Sequence, residues 1–132
     1  MEPWCLLSES FTTLDMQRLE QTMRFVAAFP DKIADEVLRC HEVARAVAYG
    51  LGLEDQVQDG YYGTVDHSWI WLSDDTILDP YAVGRFPQVQ LVDYSAILCE
   101  RANYRLSRPR KDINDAVLHQ LLSIVLSQRV VA

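Results

Sequence analysis

The sequence predicts an α+β fold. Apolar residues recur at helical spacing over residues 12–51 and again over 112–130, whereas residues 56–81 switch to a period of two. Helices first, a sheet in the middle and a helix last differ from the strand and helix alternation of a doubly wound fold. The expected architecture is a single domain over 1–132: a small antiparallel sheet packed against N-terminal helices, with a core over about residues 31–92 and helical flanks over 12–29 and 93–131.

The elements follow in order. From Thr12 to Phe29, Leu14, Leu19, Met23 and Val26 supply an apolar face, Thr12 or Thr13 can cap the start, and Pro30 ends the helix. A second helical segment opens near Asp31 and carries Ile33, Val37, Ala44, Val47, Ala48 and Leu51, with "GLG" at 50–52 as its stop. Cys40 lies inside this segment. "VQDGYYG" reads as a first strand with Gly60 as a bend or bulge, "VDHSWIWL" as a second and "TILDPY" as a third, the last two joined by "SDD" into an antiparallel meander. "VGRFPQVQLVDYS" is extended, with room for one further short strand, and Asp93 or Ser95 can open a helix through Asn103. The last helix is expected from about Asp112, as N-cap, to about Val130. The core should form where the sheet meets the second helix.

Composition narrows the function. Hydrophobic residues make up 49% of the 132 and charged residues 23%, without repeats or low-complexity tracts, so an ordinary globular protein is expected rather than a disordered one. A formal charge of −7 argues against nucleic-acid binding, which draws its affinity from Lys and Arg facing phosphates. The one basic run, "RLSRPRK" at 105–111, reads as a solvated loop before the last helix. No stretch approaches the roughly 18 apolar residues of a membrane span, and "MEPWCLLSES" lacks the pattern of a secretory signal, so no membrane association and a cytoplasmic location are expected. Cys5, Cys40 and Cys99 are odd in number and show no CxxC spacing, which suggests neither a disulfide framework nor a zinc knuckle; Cys5 and Cys99 read as structural.

One constellation carries chemistry. Alternation along "VDHSWIWL" places His67, Trp69 and Trp71 on one face. Where Asp79 falls depends on loop parity. With a two-residue loop at Asp74 and Asp75 it points to the other face; with a three-residue loop of Ser73, Asp74 and Asp75, residue 69 lies opposite 79 and Asp79 sits diagonally beside His67. In the second case Asp79 accepts one imidazole proton, fixes the tautomer and stabilises the imidazolium. The other ring nitrogen then needs a client. Cys40 in "LRCHEVARAVA" is the candidate, because a neighbouring histidine makes a thiol nucleophilic and a helix start lowers its pKa further.

This order, a cysteine opening an alanine-rich helix, then "HSW", then an aspartate before a proline in the next strand, resembles the transglutaminase-like branch of the papain-fold cysteine enzymes over roughly residues 35–82. The resemblance implies Cys40 as nucleophile, His67 as general base and acid, and Asp79 as the orienting residue. The family includes transglutaminases, arylamine acetyltransferases, amidases and small leader-peptide proteases, which share acyl transfer through a thioester. Hydrolysis of a peptide or amide bond in a peptide or protein substrate is therefore expected, without a cofactor. Trp69 and Tyr62 are the candidate substrate contacts. No Gly or Pro precedes the cysteine in "VLRC", which leaves open whether the helix starts near Cys40 or runs through it, and Ala34 stands where papain-type enzymes place an oxyanion glutamine. The Cys40 N–H is one candidate oxyanion donor, with Gln58, Tyr61 or Tyr62 for the second.

Each residue also has a plain structural reading. Cysteine on an apolar helix face is often a small core residue; Trp69 and Trp71 suit a sheet core, and Asp79 before Pro80 suits a turn. His41 is about 100° of helix rotation from Cys40 and is expected to point elsewhere, and His119 is expected at the surface. Zinc held by Cys40, His41, His67 and Asp79 is disfavoured, since adjacent Cys40 and His41 are badly placed to chelate together. The alternative function is an inactive transglutaminase-like adaptor that holds a partner through its acidic surface or the 105–111 loop.

Overall fold

The computed structural model describes residues 11–82, 88–94 and 104–131, without the side chains of 129–131. The fold is α+β: among the described residues, three α-helices accompany a five-stranded antiparallel sheet and a separate two-stranded hairpin. Helix α1 spans Thr13–Ala28. Thr12 Oγ1 accepts the Asp15 N–H at 3.0 Å and Asp15 returns the bond to the Thr12 N–H at 2.9 Å, a reciprocal cap worth about 1 kcal/mol. Pro30 forces Phe29 into extended backbone and stops the helix. Its buried face is Thr22, Phe25 and Val26 with Leu19 packed alongside, whereas Leu14 and Met23 are exposed. The five-residue step from Leu14 to Leu19 turns too far round the helix for both to face inward.

The segment after Pro30 corrects the expected helix from Asp31. Lys32–Ile33 (β1) and Glu36–Val37 (β2) form a hairpin closed by Ala34 and Asp35, which have φ of 54° and 66°. Two consecutive left-handed residues make the tight turn that suits a hairpin's twist, at about 1–2 kcal/mol per non-glycine residue. Buried Ile33 and Leu38 anchor the hairpin in the core. Helix α2 then spans Cys40–Leu51, so Cys40 is its first residue and Arg39 its N-cap. Gly52, at φ 73°, ends it in left-handed backbone, with Leu53 N–H returning to Ala48 C=O at 2.8 Å.

A short 3₁₀ turn at Glu54–Gln56 leads to β3 (Val57–Tyr62), followed by β4 (Val65–Trp71), β5 (Thr76–Asp79), β6 (Gln90–Asp93) and β7 (Tyr104–Leu106). The sheet order is β6-β5-β4-β3-β7, antiparallel throughout. The β3–β4 ladder is unbroken through Gly60, which pairs with His67, so the expected bend or bulge is absent. Gly60 has another reason: a Cβ there would overlap the Arg105 carbonyl on β7 and crowd the Trp69 ring. The proposed helix from Ser95 to Asn103 lies outside the described residues, and Asp93 itself pairs with Thr76 as the last residue of β6.

Side-chain alternation splits the sheet into two faces. One packs Ile70, Leu72, Leu78 and Leu91 against Val43 and Val47 of α2, Phe25 and Val26 of α1, and Leu121 and Val125 of the last helix. The other carries an aromatic layer of Trp69, Ile77, Val92 and Tyr104 flanked by Tyr62, Trp71 and Tyr94. The last helix, α3, spans Asp115–Val131, with its N-cap at Asn114, two residues later than the expected Asp112. Asn114 caps it by accepting the Val117 N–H at 3.1 Å, because the Asp112 carboxylate is taken by Arg110 at 2.8 and 2.9 Å and by Arg39 at 3.4 Å. No helix among the described residues is long and apolar enough to cross a membrane.

Candidate active site

Cys40 stands where three elements meet. As the first residue of α2 it lies in the terminal turn, where backbone N–H groups point out of the helix and favour an anion. Arg39, the N-cap, carries only hydrogen-bond donors and so offers these N–H groups no side-chain acceptor; its guanidinium donates instead to buried Glu42 and to Asp112. Glu42 in turn accepts the Asn114 N–H at 2.9 Å and so ties the start of α3 to the start of α2. Burial pushes the Glu42 carboxyl up, but the Arg39 hydrogen bond and charge together with the Asn114 N–H hold it below its ordinary range. The thiol sits 4.0 Å from the carbonyl of Asp66, the β4 residue that precedes His67.

The β4–β5 connection has the odd parity that a His67–Asp79 meeting requires. Ile70 faces Leu78 and Trp71 faces Ile77, with Leu72 N–H bonded to Thr76 C=O across Ser73, Asp74 and Asp75. His67 Nε2 lies 2.7 Å from Asp79 Oδ2. That oxygen also accepts the Tyr104 hydroxyl at 2.8 Å, while Oδ1 accepts the Tyr81 N–H at 3.1 Å. Asp79 thus serves both its own turn and the histidine. Cys40 keeps 8% of its surface, against 2% for His67 and none for Asp79, so it is the residue of the three nearest solvent.

The protonation states follow from these contacts. Burial pushes the Cys40 thiol up, but hydrogen bonds with His41 and His67 outweigh it and bring the thiol down to about 7 from 9.0. Burial pushes the His67 imidazolium down, yet the Asp79 hydrogen bond, helped by Cys40, raises it to about 10 from 6.5. Between these values the favoured state is a thiolate beside an imidazolium. Tyr81 is raised by burial and then by the Cys40 charge, and its hydroxyl donates to the Leu38 carbonyl at 2.8 Å. With Nε2 committed to Asp79, Nδ1 is the His67 nitrogen left for sulfur.

His41 corrects an expectation. It does not point away: it is buried, with Nδ1 3.6 Å from Cys40 Sγ and 2.7 Å from Ser68 Oγ. Ser68 donates to Asp59 Oδ1 at 2.6 Å, and Asp59 is gripped by Arg45 at 3.1 and 2.6 Å and by the Arg110 N–H at 2.9 Å. Arg45 and these donors outweigh burial and hold the Asp59 carboxyl below its usual range. The basic run is therefore partly fixed in place, since Arg110 bonds Asp59, Asp66 and Asp112.

Other expected contacts divide. Tyr62 is half-buried and meets His67 edge-on with ring centroids 6.2 Å apart. Trp69 has no exposed surface and packs beside His67 and Tyr104, so it backs the histidine instead of walling a cleft. Gln58 donates to the Asp59 and Ser107 carbonyls and accepts from Trp71 Nε1, which occupies it as an oxyanion donor. Tyr61 lies under the Arg105 guanidinium, and Ala34 is in the hairpin turn. His119 is exposed, as expected; Cys5 and Cys99 lie outside the described residues. Among the described residues no group of three or more His, Cys, Asp or Glu side chains is placed to hold a metal ion.

Sequence reasoning missed Tyr104, Ser68 and Asp59. A carboxylate inside the strand "VQDGYYG" was a usable signal for Asp59, since a buried charge demands a partner. Comparison with protein-family models, with curated proteins and with solved structures returns no match for this chain.

Proposed function

We propose that this protein is a cysteine-dependent acyl-transfer enzyme that hydrolyses a peptide or amide bond through a thioester. The observation that carries this reading is a thiol at the first residue of a helix, lowered to about 7 beside an imidazole whose Nε2 is bound to a buried carboxylate. Cys40 Sγ attacks the carbonyl carbon, and the Cys40 N–H is the donor proposed for the developing oxyanion. His67 gives its Nδ1 proton to the leaving amine as the C–N bond breaks, leaving a thioester on Cys40. Neutral His67 then takes a proton from water, the hydroxide oxygen bonds to the acyl carbon, and the thiolate leaves as the acid is released. Asp79 holds the imidazole throughout.

The resemblance of "LRCHEVARAVA", "HSW" and "ILDPY" to the transglutaminase-like enzymes supports the same reading, with a papain-like core as the finer description of the α+β fold. Tyr62 is the substrate contact retained, because it is half-buried beside His67. The test is a mixture of fluorogenic peptide amides at neutral pH, with intact-mass detection of an acyl adduct after acid quench. Wild type should release amine and carry the adduct on Cys40, and Cys40→Ser should do neither.

An inactive adaptor is the second reading. It is favoured by Gln58, whose hydrogen bonds to the Asp59 and Ser107 carbonyls and from Trp71 remove one candidate for the second oxyanion donor. Its signature would be no adduct on Cys40 from any peptide amide or activated ester.

A further inference from the structure

We propose that His41 is a second, fixed hydrogen-bond donor to the Cys40 thiolate, oriented through Ser68 onto Asp59. This rests on reading Cys40 as the nucleophile and adds a residue to that machinery. Four contacts carry it: Cys40 Sγ to His41 Nδ1 at 3.6 Å, His41 Nδ1 to Ser68 Oγ at 2.7 Å, Ser68 Oγ to Asp59 Oδ1 at 2.6 Å, and the Arg45 fork on Asp59 at 3.1 and 2.6 Å.

The direction of every proton in this chain is set by its far end. Asp59 is surrounded by donors, with Arg45 on both oxygens and the Arg110 N–H on Oδ2, so it stays ionised and only accepts. Ser68 has one hydroxyl proton, and that proton goes to Asp59. Ser68 Oγ can then meet His41 Nδ1 only as an acceptor, so His41 Nδ1 carries hydrogen. That one N–H also lies within reach of sulfur, so Ser68 Oγ at 2.7 Å and Cys40 Sγ at 3.6 Å share it. Because Nδ1 already holds its proton, it cannot take one from the thiol. The two histidines therefore divide the work: His67 moves the proton, and His41 stabilises the anion left behind.

A structural role alone would be satisfied by the Ser68 bond and would leave the thiol's titration unchanged. Among the described residues, the titratable groups facing the thiol are His41 on its own helix, His67 on β4 and Tyr81 beyond β5, with the Asp66 carbonyl as a neutral neighbour. Each can be separated by substitution.

The experiment follows Cys40 alkylation by iodoacetamide against pH in the full chain, with mass spectrometry resolving Cys40 from Cys5 and Cys99, for wild type, His41→Ala, His41→Asn and His67→Ala. A hydrogen bond to a charged sulfur sets the scale, so His41→Ala should raise the midpoint by about one pH unit, about tenfold less thiolate below the midpoint. His41→Asn, whose amide N–H falls close to the Nδ1 position, should recover most of the loss. An unchanged midpoint in natively folded His41→Ala, with His67→Ala still shifted, overturns the role of His41 and leaves the nucleophile reading intact. An ordinary wild-type thiol, insensitive to both histidines, overturns both. Long-range proton–nitrogen NMR of wild-type His41 tests the tautomer without any variant: hydrogen on Nδ1 is expected, and a bare Nδ1 contradicts the proposal.

Discussion

Two consecutive residues of β4, His67 and Ser68, lead from one thiol to two buried carboxylates on opposite faces of the sheet. On the aromatic face His67 bonds Asp79 directly at 2.7 Å, and the other described donors to Asp79 are neutral, the Tyr104 hydroxyl and the Tyr81 N–H. On the helix face His41 reaches Asp59 through the Ser68 hydroxyl, and Asp59 is already neutralised by Arg45. The same parts give different chemistry. A carboxylate whose charge is left for the imidazole stabilises an imidazolium, and His67 is raised to about 10. A carboxylate occupied by a guanidinium does not add that charge, and it orders the hydroxyl instead.

Breaking the aromatic arm should have the largest effects. In the proposed reaction His67→Ala is expected to lower amide hydrolysis by about 10⁶-fold, and Asp79→Asn by about 10⁴-fold, the scale of triads that act as a unit; steady-state kinetics on one peptide amide checks both. Breaking the helix-face arm should cost stability more than rate. Asp59→Asn leaves Arg45 without its carboxylate, with the His41 carbonyl still accepting at 3.1 Å, and since Arg45 is partly exposed the loss should be about 2 kcal/mol in denaturant unfolding, below the range for fully buried pairs.

A smaller effect distinguishes the arms by pH. Asp59 and Glu42 have folded pKa values below their unfolded ones, so the stability they contribute is complete above the unfolded carboxyl values and is lost as pH falls through the folded values. His67 has the opposite sign: its folded pKa is raised, so its contribution is complete below 6.5 and is lost as pH rises through about 10. Cys40, lowered to about 7 from 9.0, gains stability over that interval and offsets part of the loss. Thermal unfolding should weaken at both extremes. Asp59→Asn and Glu42→Gln should flatten the acid limb alone, and His67→Ala the alkaline limb alone.

These arms were not equally legible in the sequence. The meeting of His67 and Asp79 reduced to one condition, the parity of the "SDD" loop, because strand alternation leaves a histidine only two faces. The register satisfies the odd case. The start of α2 at Cys40 was hidden because its hairpin turns on Ala34 and Asp35, which take left-handed backbone without the glycine that would announce it. His41 was misread for a geometric reason. A rotation of 100° separates neighbours on a helix, but at the first turn of α2 both side chains approach β4, Cys40 beside the Asp66 carbonyl and His41 on Ser68. Tyr104 reaches Asp79 from a strand 25 residues further on, and no local pattern encodes a contact at that separation.

The most direct test of the account is the pH dependence of Cys40 alkylation by iodoacetamide in wild type against His67→Ala. Because the thiolate is the reacting form, the wild-type rate should rise through a midpoint near 7 and hold a plateau, and the variant's midpoint should move toward 9.0. A Cys40 that is inert, or that titrates near 9.0 with or without His67, would contradict the paired thiolate on which the proposed chemistry depends.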